Sequence, residues 1–305
     1  MFEKVLFPVD FSRHTERIVH RIPDLEGTGL QTAVFLHVID PVKAARWTDV
    51  DEPALERYKT EADDRLKDLV EPLRTRTTIR ILRLVAVGTT ERAIIDAAED
   101  QGASLIMMGA HGRSYIRGAL LGSVTRNVLR RTRTPLLIAR FENPEAQVEK
   151  DPNFFPRDPC EKILYPTDFS ENALRAFRSV RTCRPGAAKE VIILHVQDSR
   201  SLLPYLKHRM EEFDRVDGER LSELKRQLDF LGFAVRTVLK TGVPATEISR
   251  LADEENVTMI AMASHGKSNV REALLGSVAE AVVEHHVRPV LVIPRELGHE
   301  RREYG

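Results

Sequence analysis

The sequence predicts an α/β protein built from two tandem copies of one doubly wound parallel-sheet domain. Three observations support this prediction: the chain repeats itself, short β-branched segments alternate with longer amphipathic ones, and the predicted strands are apolar without alternation. Strands covered by helices on both faces have this last property. Alternating strands and helices favour parallel strands joined by crossover helices. A chain of 305 residues is long enough for two such cores, at roughly 100 to 200 residues per domain.

The repeat is visible in three motifs. Residues 4–12 (KVLFPVDFS) match residues 162–170 (KILYPTDFS) at six of nine positions, and Leu-His-Val at 36–38 recurs 158 residues later. From Gly88 onward the separation is 154 residues, and ALLGSV at 119–124 recurs unchanged at 273–278. A four-residue deletion in the second copy accounts for the shift.

The repeat divides the chain into two domains and a linker. We predict a first domain over residues 1–141, a linker over 142–159 and a second domain over 160–305. The linker contains four prolines, at 144, 152, 156 and 159, and proline cannot continue a helix or a central strand. In the first copy we predict strands near residues 5–9, 33–39, 79–87, 105–109 and 136–139, with helices filling the gaps. Residues 91–100 place Ile94, Ile95 and Ala98 on one helical stripe, which the second copy repeats.

Composition and charge exclude several classes of protein. Lys plus Arg (46) equals Asp plus Glu (46), so no net field draws the molecule to nucleic acid or to an anionic membrane. The longest apolar stretches are too short to span a membrane, and the N-terminus lacks the pattern of a signal peptide. Cys160 and Cys183 are too few for a disulfide framework and lack zinc-site spacing. We expect a soluble cytoplasmic protein whose two thiols are reduced and structural.

Candidate ligand residues follow the predicted strands, because open parallel sheets bind ligands beyond the carboxyl ends of their strands. Asp10 follows the first strand, Val38 lies at the end of the second, and a glycine-bearing loop follows the fourth at Gly109. We expect these segments to converge on one crevice in each copy. His37 and its counterpart His195 lie inside apolar strands, where a hydrogen-bonded core histidine is expected more than a metal ligand.

The loop after the fourth strand carries the strongest signal. It reads Gly109-Ala-His-Gly112, then nine residues, then Gly122-Ser123 at the predicted start of a helix. Glycine permits a positive φ or close approach to a ligand, and the free amide groups of a helix start favour an anion. The pattern therefore predicts a phosphate cradle. The alternative is that the glycines form a turn and Ser123 merely caps a helix, but recurrence of the pattern in the second copy favours the cradle.

Gly-x2-Gly-x9-Gly-Ser after a strand, with a first strand ending in Pro-x-Asp and a second reading Leu-His-Val, resembles the universal stress protein family in its tandem form. The resemblance covers nearly the whole chain apart from the linker and tail. It implies the adenine-nucleotide alpha hydrolase-like fold, with five parallel strands in the order 3-2-1-4-5 in each copy. It also implies ATP binding in members that keep the glycine motif, and antiparallel pairing of the two fifth strands into a pseudo-dimer. Whether two chains form a homodimer stays open.

Site residues follow from the resemblance by matching position. In the first copy, the resemblance implies that Asp10 and Val38 contact ribose and adenine. It assigns the phosphates to Gly109, Gly112, Gly122, Ser123 and Thr125. The other residues of the predicted site are Pro8, Met108, His111, Arg113 and Val124. The residues that match in the second copy are Asp168, Val196, Gly266, Gly276 and Ser277. The second copy departs from the motif, because Ala263 replaces the first glycine and Ala279 replaces the threonine. We therefore expect the first copy to bind nucleotide and the second to bind it weakly or not at all.

Charge supports the same asymmetry. Residues 113–140 contain seven arginines and no acid, whereas the matching segment of the second copy contains Glu272, Glu280 and Glu284. A local positive potential favours the phosphates of ATP. For the arginines distant from the loop, a solvated basic helix face is the alternative.

Three functions fit these features. The first is an ATP-binding stress-response regulator, in which ATP, with or without Mg²⁺, shifts stability or association. The second is a slow ATPase or a phosphoryl- or nucleotidyl-transfer enzyme. Such chemistry needs a metal-holding carboxylate and a positioned base, and Asp10 is the one evident acid at the first crevice. We therefore expect slow hydrolysis at most. The third is a scaffold that binds a non-nucleotide ligand.

Overall fold

Two similar halves make up the computed structural model, and each follows the predicted alternation of strands and helices. The structure describes residues 2–45, 51–110, 121–139, 158–183, 190–200, 209–267, 275–286 and 288–295. The predicted site residues His111, Gly112 and Arg113 lie outside these ranges. We call residues 2–139 the first half and residues 158–295 the second half.

The first half alternates five strands with helices. Its strands are β1 (Lys4–Pro8), β2 (Thr32–Ile39), β3 (Arg80–Val87), β4 (Leu105–Gly109) and β5 (Leu136–Ala139). Its helices are α1 (Arg13–His20), α2 (Pro41–Ala44), α3 (Glu52–Val70), α4 (Thr90–Asp100) and α5 (Ser123–Arg131), with 3₁₀ turns over Ile22–Thr28 and Glu71–Leu73. The five predicted strands are therefore confirmed to within one residue at each end.

The second half repeats this plan. Its strands are β6 (Lys162–Thr167), β7 (Glu190–Asp198), β8 (Val235–Gly242), β9 (Met259–Ala263) and β10 (Val290–Ile293). Its helices are α6 (Glu171–Arg181), α7 (Met210–Phe230), α8 (Pro244–Glu254) and α9 (Ser277–His285). Helix α8 opens with Pro244, whose fixed φ suits the first turn of a helix and whose missing amide hydrogen costs nothing there.

The ten strands of the described residues form one sheet, in the order β3-β2-β1-β4-β5-β10-β9-β6-β7-β8. Strands within each half are parallel and follow the predicted order 3-2-1-4-5. The halves join through β5 and β10, which pair antiparallel with Leu137 opposite Leu291. These two leucines are one repeat of 154 residues apart, so a pseudo-twofold axis passes between them. The predicted pairing of the fifth strands is confirmed.

Helices cover both faces of the sheet. Leu66 of α3 and Leu224 of α7 belong to one buried layer, and Ile94 of α4 and Ile248 of α8 belong to the other. The strands between them supply apolar side chains to both layers, as their unalternating sequences predict. None of the described helices is both long and apolar enough to cross a membrane.

The two cysteines are free and buried at the start of the second half. Cys160 Sγ lies 3.3 Å from Cys183 Sγ. Contact with Cys183, together with burial, raises the pKa of the Cys160 thiol well above its usual value. A buried thiol that stays protonated is a poor nucleophile, so the structure agrees with the predicted structural role.

Candidate functional site

A tight turn after β1 holds Asp10 at the carboxyl edge of the sheet. Phe11 has a φ of 55°, a left-handed conformation that is uncommon for a residue other than glycine. Asp10 Oδ1 accepts hydrogen bonds from the Ser12 amide at 3.0 Å and from the Thr15 hydroxyl at 2.6 Å. Ser12 also caps the N-terminus of α1. The Asp10 carboxylate is therefore oriented by its own turn.

This turn rests on side chains from β2 and α3. His37 Nδ1 lies 2.7 Å from the Val9 carbonyl oxygen, and its ring centroid lies 4.5 Å from that of Phe11. The Arg65 guanidinium lies 4.0 Å from the centre of the Phe11 ring, within the range of a cation–π contact. Because a carbonyl can only accept, His37 Nδ1 carries the proton of this hydrogen bond. The predicted hydrogen-bonded core histidine is confirmed, and His195 makes the same contact in the second half.

The chain returns from the loop after β4 onto the end of that strand. The Gly122 amide donates to the Ala110 carbonyl at 2.8 Å, and the Thr125 hydroxyl donates to the Gly109 carbonyl at 2.9 Å. Gly122 occupies the cap position of α5 and has no side chain with which to accept a hydrogen bond from the first turn. Ser123 is thus the first helical residue rather than the cap. The amides of the first turn and the positive end of the α5 dipole therefore lie beside the end of β4.

Glycine is used in this region for close approach, not for a left-handed backbone. Neither Gly109 nor Gly122 has a positive φ, so that part of the glycine prediction is wrong for both residues. The counterpart of Gly122 shows what is needed instead. A Cβ on Gly276 would lie 3.1 Å from the Ser264 carbonyl oxygen and 3.2 Å from His265 Cα. A side chain there would force apart two backbone segments that touch.

The other predicted residues of the first half lie at the same sheet edge. β1 lies between β2 and β4, so the carboxyl ends of all three strands meet around Asp10. Pro8 is the last residue of β1. Val38, Met108 and Val124 all belong to, or pack against, the buried layer under α4 and α5. The structure thus places these residues at one edge of the sheet.

In the second half the convergence is visible between individual atoms. Asp168 Oδ1 accepts the Ser170 amide at 3.0 Å, and Asp168 Oδ2 accepts the Lys267 amide at 2.6 Å. A Cβ on Gly266 would lie 2.5 Å from Asp168 Oδ2, so a side chain there would require the Asp168 carboxylate to shift. The carboxylate after the first strand and the loop after the fourth strand therefore touch, as the switch-point argument predicts.

The second half departs from the first at two buried or half-buried positions. Ala263 pairs with Ile293 inside the sheet, so the backbone tolerates a methyl group where the first half has Gly109. Ala279 is buried in the first turn of α9, at the position of Thr125. Its methyl group cannot make the hydrogen bond that ties α5 to the end of β4. Ser277 begins α9, whose first turn again has no side-chain cap.

A polar cluster that the motifs did not reveal follows Val38. Asp40 Oδ2 lies 3.1 Å from Lys43 Nζ and accepts the Thr90 hydroxyl at 3.3 Å. Partial burial disfavours the charged carboxylate, but the hydrogen bonds and charge of Lys43 outweigh burial and lower the pKa of Asp40. The available signal was an aspartate directly before a proline, a typical start of a helix. The cluster ties α2 to the start of α4 at the rim of the crevice.

Two arginines of α5 contact the other half of the molecule. Arg126 Nη2 lies 3.0 Å from Glu284 Oε1, and Arg130 Nη2 lies 2.9 Å from Glu280 Oε1. The sequence suggested a potential for phosphates or a solvated helix face. That interpretation is wrong for these two residues, because the pairing of β5 with β10 brings α5 beside α9. Their charges are compensated across the interface.

The fold and this edge define a class of protein. The sheet has ten strands and is built from two halves of order 3-2-1-4-5. In the first half, a helix with a glycine at its cap position starts at the switch point. This arrangement is the adenine-nucleotide alpha hydrolase-like fold. The sequence model of the Universal stress protein family matches residues 1–140 and 159–294. The chain belongs to the universal stress protein family, in its tandem form.

Known relatives match the chain in two ways. A universal stress protein of Methanocaldococcus jannaschii is 39% identical over 154 residues, which cover 44% of this chain and 95% of that protein. One from Methanothermobacter thermautotrophicus is 35% identical over 133 residues, covering 41% of this chain and 88% of that protein. The crystal structure of a universal stress protein from Archaeoglobus fulgidus covers 96% of both chains, with a TM-score of 0.69 and 23% identity. The last similarity concerns the fold of the whole tandem chain.

Proposed function

We propose that the first half binds ATP as a regulatory ligand of a stress-response protein. The nucleotide would lie across the carboxyl ends of β1, β2 and β4. The observation that carries the proposal is the start of α5, which has a glycine at its cap position and closes on the end of β4 through the Gly122 amide and the Thr125 hydroxyl. Family membership supports it, because the first half keeps the complete glycine motif.

The phosphates fit the start of α5. The amides that follow Gly122 and the Ser123 hydroxyl offer hydrogen-bond donors, and the helix dipole favours an anion there. Gly109 presents no side chain to an approaching ligand. The Thr125 side chain is buried and its hydroxyl is bonded to the Gly109 carbonyl. We therefore assign Thr125 to holding the loop in place, and direct contact to the main chain around it.

The ribose and the base fit the other side of the crevice. A carboxylate only accepts hydrogen bonds, so Asp10 suits the hydroxyl groups of a ribose. The hydrogen bonds from the Ser12 amide and the Thr15 hydroxyl fix the direction of the carboxylate and use part of the acceptor capacity of Oδ1. Val38 and Met108 supply apolar surface against which a purine ring can pack.

We propose that the second half binds nucleotide weakly or not at all. Ala263 is the counterpart of Gly109, and its methyl group occupies the space through which the ligand would approach the backbone. Ala279 is the counterpart of Thr125 and lacks the hydroxyl that holds the loop in the first half. Both differences act in the same direction.

A regulatory ligand fits this site better than a substrate. A ligand that binds one conformation stabilises it by RT ln(1 + [L]/Kd), and this requires no turnover. Efficient hydrolysis would require a base or electrophile positioned at the γ-phosphate. In the described residues no group of three or more His, Cys, Asp or Glu side chains is arranged to hold a metal ion. A Mg²⁺ ion that enters with ATP keeps several waters and binds the phosphates together with one or two carboxylates, so it does not require such a group.

Calorimetric titration of the whole chain with ATP tests the proposal. We expect one ATP per chain, recovered intact after the titration. No binding at millimolar ATP would contradict the proposal, and so would two sites of equal affinity.

A reciprocal exchange of residues provides the matched control. Gly109→Ala should weaken ATP binding by roughly tenfold, about 1.4 kcal/mol, because a methyl group then faces the ligand. The combined change Ala263→Gly and Ala279→Thr should leave the first site unchanged and strengthen binding in the second half. If the exchange strengthened the first site instead, the assignment of the halves would be wrong.

A further inference from the structure

The interface between the halves carries two ion pairs that are copies of one contact. Arg126 pairs with Glu284 at 3.0 Å, and Arg130 pairs with Glu280 at 2.9 Å. Arg126 and Glu280 are one repeat of 154 residues apart, and so are Arg130 and Glu284. Exchanging the two halves therefore converts one ion pair into the other. The duplicated position is basic in the first half and acidic in the second.

The strand register fixes this equivalence. Leu137 and Leu291 are also one repeat apart and face each other across β5 and β10. An interface of this kind is isologous, which means that when residue i contacts residue j, the equivalent of j contacts the equivalent of i. Any two halves that pair in this way must bring the position of Arg126 in one against the position of Arg130 in the other.

Self-pairing would therefore place like charges together. Two first halves would set Arg126 of each against Arg130 of the other, so four arginines would meet. Two second halves would set Glu280 against Glu284, so four glutamates would meet. The four side chains are only 19% to 37% exposed, so solvent screens them less than it screens fully exposed charges. Mixed pairing of a first half with a second half alone gives opposite charges at both contacts.

The strands at the interface do not make this distinction. The facing side chains are all aliphatic, and they are Leu136, Leu137, Ile138, Val290, Leu291 and Val292. An aliphatic strand pair stabilises mixed pairing and self-pairing alike, because hydrophobic burial is non-directional. The charged helix pair is the part of the interface that can select a partner.

We propose that these four charged residues specify the partner of each half. The first half accepts a second half and rejects another copy of itself, and the second half does the same. The partner is therefore a complementary half from this or another copy of the chain. The proposal does not depend on nucleotide binding, and its test contains no nucleotide.

Three variants of the whole chain test the proposal. Arg126→Glu with Arg130→Glu makes both sides acidic, Glu280→Arg with Glu284→Arg makes both basic, and the fourfold variant exchanges the charges. We expect each twofold variant to lower the unfolding midpoint Tm by about 4 °C, the scale of partly exposed charges in a chain of this size. The fourfold variant should return to within about 1 °C of the wild type, and 1 M salt should shrink the differences.

Co-refolding provides the second measurement. The acidic and basic twofold variants complement each other, so a mixture should form a reciprocal two-chain assembly, detected by light scattering after size exclusion. This assembly should melt above either variant alone. A mixture that contains only single chains would count against the proposal. A fourfold variant whose Tm falls by the sum of the two twofold losses would overturn it, and so would three variants that all share the Tm of the wild type.

Discussion

The turn after the first strand is the same in both halves, whereas the sequence around the loop after the fourth strand differs between them. Phe11 and Phe169 have φ angles of 55° and 60°, and the rings of His37 and His195 each lie 4.5 Å from the neighbouring phenylalanine ring. An unusual backbone conformation persists only where its surroundings hold it. Its presence twice shows that the scaffold around the aspartate was kept in both halves.

The loop chemistry diverged on this common scaffold. The second half has alanine at the position of Gly109 in β4 and at the position of Thr125 in α5, whereas the pairing of the fourth strand with the fifth is the same in both halves. The same comparison extends under the sheet edge. Gln197 Nε2 donates to Asp214 and Asp217 at 3.0 and 3.1 Å, while its counterpart in the first half is the buried Ile39. Residues of the candidate site and supporting side chains therefore differ between the halves, while the strand pairing does not.

Alanine substitutions in the central strand pair, β5 and β10, should cause the largest loss of unfolding free energy. These losses should also differ least between the halves. Leu137 and Leu291 are both fully buried and face each other at the pseudo-twofold axis. Leu137→Ala and Leu291→Ala should each lower the free energy of unfolding by about 2 to 5 kcal/mol, from lost burial and a residual cavity. Denaturant unfolding of the whole chain measures this loss. Losses that differ by a factor of two would show that the halves are not equivalent at their interface.

Substitutions at the starts of α5 and α9 should affect ATP affinity differently in the two halves, although they should strain both halves alike. A side chain at Gly276 would press on the Ser264 carbonyl, so valine should strain the loop in either half. Gly122→Val should also weaken ATP binding at least about 100-fold, or 2.7 kcal/mol, because it disturbs the proposed phosphate contact. Gly276→Val should leave ATP affinity unchanged.

Calorimetry on both glycine variants measures this difference. A similar loss of ATP affinity in the two variants would contradict the proposed difference in ATP binding between the halves. Thermal unfolding of each variant without ATP serves as the control for the strain in the loop.

Tyr165 should give a smaller, pH-dependent effect in the second half alone. It replaces Phe7 of the first half, and its hydroxyl donates to the Ala173 carbonyl at 2.7 Å. Burial raises the pKa of Tyr165 above its usual value. At neutral pH, Tyr165→Phe should cost about 1 kcal/mol of unfolding free energy, because a buried carbonyl loses its partner.

The sign of the pH dependence follows from the raised pKa. Above about pH 10 the tyrosine ionises in the unfolded chain but not in the folded one, so the wild type loses stability with rising pH. The phenylalanine variant lacks this loss, and the gap between the two proteins should shrink above that pH. Urea unfolding from pH 7 to 10.5 measures it. A gap that stays constant across the range would contradict the assignment.

The sequence predicted the strands well because their signal is local. Apolar segments such as residues 105–109 and 136–139 indicate a strand without information from the rest of the chain. The repeat also supplied a second copy of each segment. The prediction for Asp10 rested on topology, since a residue after a central parallel strand must reach the carboxyl edge. The Thr125 hydroxyl was placed among the phosphate contacts, but it bonds to the Gly109 carbonyl.

The ion pairs between the halves were not predicted from the sequence, because they depend on the register of β5 and β10. A basic helix over 123–131 is visible in the sequence, but its partner is set by which residues of β5 and β10 face each other. The repeat does contain the signal, since basic and acidic residues alternate between copies at two positions four residues apart. Glycine posed a different difficulty, because composition does not distinguish a residue needed for its φ from one needed for its missing side chain.

The antiparallel joint between β5 and β10 has a consequence for where ligands and partners can act. Strands run one way in the first half and the opposite way in the second, so their carboxyl ends emerge at opposite edges of the continuous sheet. The two crevices therefore open in opposite directions, and no single small molecule can bridge them.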